Sequence, residues 1–137
     1  SFVSGAIILG DSNDSINLYK KIGRYVGMIF QMSDDCMDYE LSENESNKPV
    51  LSDIAKGVMT LPLIYAIKKN PNLLEKLEKK YDKNILASEI IEYGGVNFTK
   101  SFSNRYYQKT IDCLEKLDIS KEKYNMIKDI LDIASRR

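Results

Sequence analysis

Gly23-Arg24-Tyr25-Val26-Gly27-Met28-Ile29-Phe30-Gln31-Met32-Ser33-Asp34-Asp35-Cys36-Met37-Asp38 decides how this chain folds. No proline or turn cluster interrupts it, and its apolar residues recur at helical spacing. At about 100° per residue, Gly23, Gly27, Gln31, Asp34, Asp38 and Asp35 fall within an arc of roughly 120° on one face. Three carboxylates, one amide and two positions without side chains therefore share that face. Ile22, Tyr25, Val26, Met28, Ile29, Met32 and Met37 occupy most of the rest. A helix apolar in most directions is expected inside a protein, so the acidic face should look into a cavity holding water or a cation.

Charge decides what such a cavity holds. Two carboxylates about 6 Å apart repel by roughly 3 kcal/mol at an effective dielectric near 20, and without compensation one is pushed toward protonation. Magnesium removes the penalty, prefers oxygen ligands and shares its shell with waters and phosphate oxygens. Asp34, Asp35 and Asp38 are the candidate metal ligands. An isolated DDxxD is more often an exposed, ion-paired stretch; the apolar surround and the sequence that follows reverse that preference.

Working outward, the periodicity predicts an all-α chain. Ser1 to about Leu9 reads as the tail of a helix closed by Gly10-Asp11-Ser12-Asn13. Asp14 or Ser15 caps the next helix, which runs to about Glu40. Leu41 to Ser52 is polar, contains Pro49 and reads as a loop. Asp53 caps a helix through about Lys69, with Pro62 either kinking it or marking its true first turn. Asn70-Pro71 opens a short charged helix to about Lys80, and Lys83 to Tyr93 forms another, stopped by Gly94-Gly95. Helices from Val96 to Leu117 and, after a Ser120 cap, from Lys121 to Ser135 complete the chain. Their core stripe is Ile111, Leu114 and Leu117, then Ile127, Ile130, Leu131 and Ala134. The lysine-rich run Lys68 to Lys83 reads as a solvated face.

The 137 residues, 43% hydrophobic and 29% charged, suit a single soluble domain. Twenty basic residues balance twenty acidic ones, so no overall field draws the chain to nucleic acid or an acidic membrane. No apolar run approaches the roughly 20 residues of a membrane-spanning helix, and no signal peptide is evident. Cys36 and Cys113 form no CxxC pair, which fits a reduced, cytoplasmic setting. The absence of histidine excludes a His-based triad or ligand and the commonest general base. Carboxylates, lysines or a metal must carry any catalysis. The chain opens without methionine on what reads as the inside of a helix, so a preceding N-terminal portion is expected.

Downstream runs Asn47-Lys48-Pro49-Val50-Leu51-Ser52-Asp53-Ile54-Ala55-Lys56-Gly57-Val58-Met59-Thr60-Leu61-Pro62. Lys48 in the loop and Lys56 near a helix start could reach the phosphate that the metal holds, as compact positive charges. FQMSDDCMDYE followed by NKPVLSDIAKGVMTLPLIYA resembles the second aspartate-rich region of trans-type polyprenyl diphosphate synthases. Gly94-Gly95-Val96 opening a helix and the closing Arg136-Arg137 resemble that family's terminal helices, so the likeness spans essentially the whole chain.

The resemblance implies an antiparallel helical bundle, the C-terminal portion of the isoprenoid synthase fold, as one partial domain over residues 1–137. It implies a prenyltransferase that condenses isopentenyl diphosphate with an allylic diphosphate. Asp34, Asp35 and Asp38 would hold magnesium on the allylic diphosphate, Lys48 and Lys56 would bind its oxygens, and Gln31 would lie beside the reacting centre. Asp53 would support a lysine or a metal-bound water, and Phe30, Met28 or Met32 would wall the cavity. The family's first aspartate-rich motif is not among these residues, so the chain is expected to be inactive alone and to form a homodimer or pair with an N-terminal portion. A non-catalytic subunit that completes another chain's site is the alternative; such a subunit would not need the aspartates. Asn47, where the family commonly has glycine, and Val58, where a polar or basic residue is frequent, depart from the pattern.

Overall fold

A computed structural model describes residues 13–44, 59–79 and 82–136. Six helices and no strand occur among them: α1 (Asn13–Asn44), α2 (Leu61–Lys69), α3 (Asn72–Glu78), α4 (Lys83–Glu92), α5 (Gly95–Lys116) and α6 (Lys121–Ala134). The expected helix from Ser1 to Leu9 lies outside the described residues.

Boundaries follow local chemistry. α1 starts at Asn13, just before the expected cap, and runs four residues beyond Glu40. Residues 41–44 are helical rather than looped, because polarity alone does not stop a helix and no proline occurs before Pro49. The expected helix from Asp53 to Lys69 is not continuous: Met59 and Thr60 are non-helical, and α2 begins at Leu61 with Pro62 in its first turn. Proline has no N–H to donate four residues back, which suits a helix start and not a helix interior.

Asp82 caps α4 by accepting from the Asn84 and Ile85 amides at 2.8 and 3.3 Å, and Ser120 caps α6 by accepting from the Lys123 amide at 3.1 Å. Gly94 supplies the left-handed stop after α4, with φ +84°; Gly95 already belongs to α5.

The described residues form two compact units. The first comprises residues up to 33 together with those from 103 onward. Tyr19 and Ile22 of α1 pack with Cys113, Leu114, Leu117 and Ile127, while Ile29 packs with Leu131 and Ala134. Tyr107 Oη donates to Asp132 Oδ1 at 2.5 Å, tying α5 to α6, and within α6 Lys128 Nζ donates to Asp132 Oδ2 at 3.0 Å. The expected α6 stripe holds for Ile127, Leu131 and Ala134, but Ile130 is exposed. It lies on the side of α6 shared by Met126 and Ile133, about 100° from the buried seam.

The second unit covers residues 34–102. Its core gathers Cys36 and Tyr39 of α1 with Leu63 and Ala66 of α2, Leu73 of α3, Leu86, Ala87 and Ile90 of α4, and Val96 of α5. Each fully buried leucine or isoleucine there contributes roughly 1.5–3 kcal/mol.

Candidate functional site

α1 buries one side. Ile22, Ile29, Met32, Cys36 and Tyr39 are buried, whereas Tyr25, Val26, Met28 and Met37 are only half-buried. The expectation that the helix is enclosed in most directions is corrected. The side carrying Gly23, Gly27 and Gln31 is exposed, and a Cβ built on Gly27 would meet nothing within 4 Å. Phe30, expected to wall a cavity, is 53% exposed. Periodicity reports which azimuths are apolar; it does not report how many of them find a neighbour.

The three aspartates divide by depth. Asp35 is 7% exposed, tucked at the edge of the buried side, while Asp34 and Asp38 are half-buried. Asp34 and Asp38 stand four residues apart, about one turn, so their Cβ atoms are about 5–6 Å apart on the same side. Among the described residues no group of three or more histidine, cysteine, aspartate or glutamate side chains is gathered tightly enough to hold an ion. The donor set nevertheless fits magnesium: two hard oxygen donors on successive turns are what this ion takes from a protein when phosphate oxygens and waters complete its shell.

Behind the aspartates, α1 is held by α5. Cys36 Sγ lies 3.8 Å from the Val96 carbonyl oxygen, which accepts from it. Burial pushes the Cys36 thiol up to about 11, with Lys100 opposing and Glu40 and Asp35 reinforcing. The thiol stays protonated at neutral pH and is no nucleophile. Lys100 of α5 forms an ion pair with Glu40 of α1, a contact the sequence does not signal. Both cysteines are free and buried. Lys48, Lys56 and Asp53 lie outside the described residues. Thus Asp34, Asp35, Asp38, Gln31 and Phe30 share one helix, and the first three stand at its buried edge and half-buried flank.

Comparison with known proteins places this helix in context. The family model described as "Polyprenyl synthetase" matches residues 1–93. The chain is 30% identical over 105 residues to a prenyl transferase of Cyanophora paradoxa, covering 74% of this chain and 32% of that protein. It is 27% identical over 137 residues to solanesyl-diphosphate synthase 1, mitochondrial, of Oryza sativa subsp. japonica, covering 96% of this chain and 32% of that protein. Among solved structures, geranylgeranyl pyrophosphate synthase from Lactobacillus brevis superposes with a TM-score of 0.82 at 26% identity, covering 97% of this chain and 43% of that one.

The fold is the all-α fold of isoprenoid synthases. The chain belongs to the polyprenyl synthetase family. It spans about a third of the length of the curated relatives it matches.

Proposed function

We propose that the chain is the diphosphate-binding C-terminal part of a polyprenyl diphosphate synthase, in which Asp34 and Asp38 hold magnesium on the diphosphate of an allylic substrate. The observation that carries this reading is the pair of half-buried carboxylates one turn apart on α1, in a chain whose family handles prenyl diphosphates. Bound magnesium would supply positive charge to the departing diphosphate. Asp35, buried beside them, supports the turn that carries them and is the third candidate ligand. Lys48 and Lys56 bind the diphosphate oxygens, Gln31 lies beside the reacting centre, and Asp53 supports a lysine or a metal-bound water. The allylic C–O bond breaks with its electron pair leaving on the diphosphate, and the double bond of isopentenyl diphosphate forms a new C–C bond to the resulting carbocation. Loss of a proton, with the departed diphosphate able to accept it, restores a double bond. No histidine is needed, which agrees with its absence from the sequence.

Partners follow from exposure. Met126 is 59% and Ile133 75% exposed on one side of α6, and Phe30 is 53% exposed on α1. Apolar side chains this open favour coverage by a second copy or by an N-terminal portion of the fold, and the 137 residues are expected to be inactive alone. No helix among the described residues is long and apolar enough to cross a membrane, and the unpaired cysteines suit a reduced, cytoplasmic setting. The test is an elongation assay on the purified chain with geranyl diphosphate, isopentenyl diphosphate and magnesium, alone and with an N-terminal portion of a family member added. Activity only in the second case supports the reading; turnover by the chain alone contradicts it.

A further inference from the structure

We propose that Lys100 is a positioning residue for the aspartates of α1, acting through Glu40. This rests on the reading of Asp34 and Asp38 given above. Cys36 and Glu40, four residues apart on α1, are both held by α5: Cys36 by the Val96 carbonyl at 3.8 Å and Glu40 by Lys100. At about 100° per residue, Cys36 lies roughly 160° around the helix from Asp34, and Glu40 roughly 160° from Asp38. The two contacts therefore grip α1 from behind the aspartates, one turn apart. Rotation of this segment about its axis would swing Asp34 and Asp38 away from a shared ion, and it would first have to break both contacts.

The seat for this grip is closely packed. A Cβ on Gly95 would lie 2.3 Å from the Pro62 carbonyl oxygen, so the first turn of α5 is pressed against α2. Thr99 Oγ1 donates back to the Gly95 carbonyl at 2.8 Å. Lys100 follows one turn after Val96. A shallow cleft lined by Tyr39, Glu40, Ile91, Val96, Asn97 and Lys100 adjoins the pair. Both partners are about half exposed, with side-chain exposures of 54% and 49%. A pair this exposed contributes little to stability; its effect is on the azimuth at which α1 is held.

The test is calorimetric titration of the full 137-residue chain with magnesium in the presence of inorganic pyrophosphate, alongside thermal melts. Lys100→Met should weaken magnesium binding by about twofold to fivefold with an unchanged melting temperature, and Lys100→Arg should retain wild-type affinity. The charge-swapped Lys100→Glu/Glu40→Lys chain should recover affinity, while the neutral Lys100→Met/Glu40→Gln chain should not. Recovery by the neutral pair would show that only local charge matters and would overturn the proposal. So would wild-type affinity in Lys100→Met, or an affinity loss that tracks a lowered melting temperature. If the wild-type chain shows no pyrophosphate-dependent magnesium binding, the reading of the aspartates falls and this proposal with it.

Discussion

A methyl group on Gly95 would sit 2.3 Å from the carbonyl oxygen of Pro62 and 3.1 Å from Cγ2 of Ile90. The entry of α5 is thus built by omission: a side chain there would push α5 off the first turn of α2. Helix propensity alone would favour alanine over glycine by roughly 0.5–1 kcal/mol, but the opposing atom is backbone and cannot rotate away. Gly95→Ala is expected to lower stability by about 1–3 kcal/mol, read by urea denaturation. An unchanged midpoint would contradict the packing described for α2 and α5.

Gly27 behaves in the opposite way. It lies within α1, and a Cβ there would meet nothing within 4 Å. With no clash to offset propensity, Gly27→Ala should raise stability by about 0.5–1 kcal/mol. The two glycine substitutions, measured side by side, are expected to differ in sign.

The aspartates should separate in the same way as their burial. Asp34→Asn and Asp38→Asn, at half-buried positions, should leave the melting temperature within a few degrees of wild type. They should weaken magnesium binding in the presence of pyrophosphate by at least about tenfold. Asp35 is buried, so Asp35→Ala should cost about 1–3 kcal/mol of stability by removing a buried polar side chain from its surroundings. Thermal melts paired with calorimetry distinguish the two patterns; equal stability losses at all three positions would show that the cluster is merely structural.

Alkaline stability tests the α5–α6 tie. Burial first, and then the hydrogen bond to Asp132, push the Tyr107 hydroxyl above its ordinary value. The hydrogen bond to Asp132 does the same for the Lys128 ammonium. Groups raised in the folded state contribute stability that is complete below their unfolded values, near 10 for tyrosine and 10.4 for lysine. That stability is lost as pH rises through the folded values. The chain should therefore weaken on going from pH 9 to pH 11. Tyr107→Phe should be less stable by about 0.5–1.5 kcal/mol at pH 8 and show a shallower decline above pH 10 in denaturant titrations.

Much of this was legible in the residues because it depends on local chemistry. The caps at Ser120 and Asp82, the stop at Gly94 and the start at Pro62 each follow from one side chain's hydrogen bonding or one ring's geometry. The Ser120 cap and the Gly94 stop match expectation, and Pro62 takes the second of its two expected places, a first turn rather than a kink. The acidic face of α1 was readable because helical phase is fixed by spacing. What spacing does not carry is which azimuth finds a neighbour. Phe30, expected in a wall, is exposed; Ile130, expected in the core, lies on the open side of α6; and Asp35 is deeper than Asp34 or Asp38. The tie between Lys100 and Glu40 joins residues sixty apart, and neither belongs to a pattern that would announce the other. Lys48, Lys56 and Asp53 lie outside the described residues, so their expected roles stand on the resemblance alone.

The most direct measurement is a reciprocal calorimetric titration of the wild-type chain, with magnesium added at fixed pyrophosphate and pyrophosphate added at fixed magnesium. If Asp34 and Asp38 present an ion to a diphosphate, each ligand must tighten the other by the same factor, and Asp34→Asn must reduce that coupling by at least about tenfold. Magnesium and pyrophosphate binding independently of one another, or a coupling undiminished in Asp34→Asn, would contradict it.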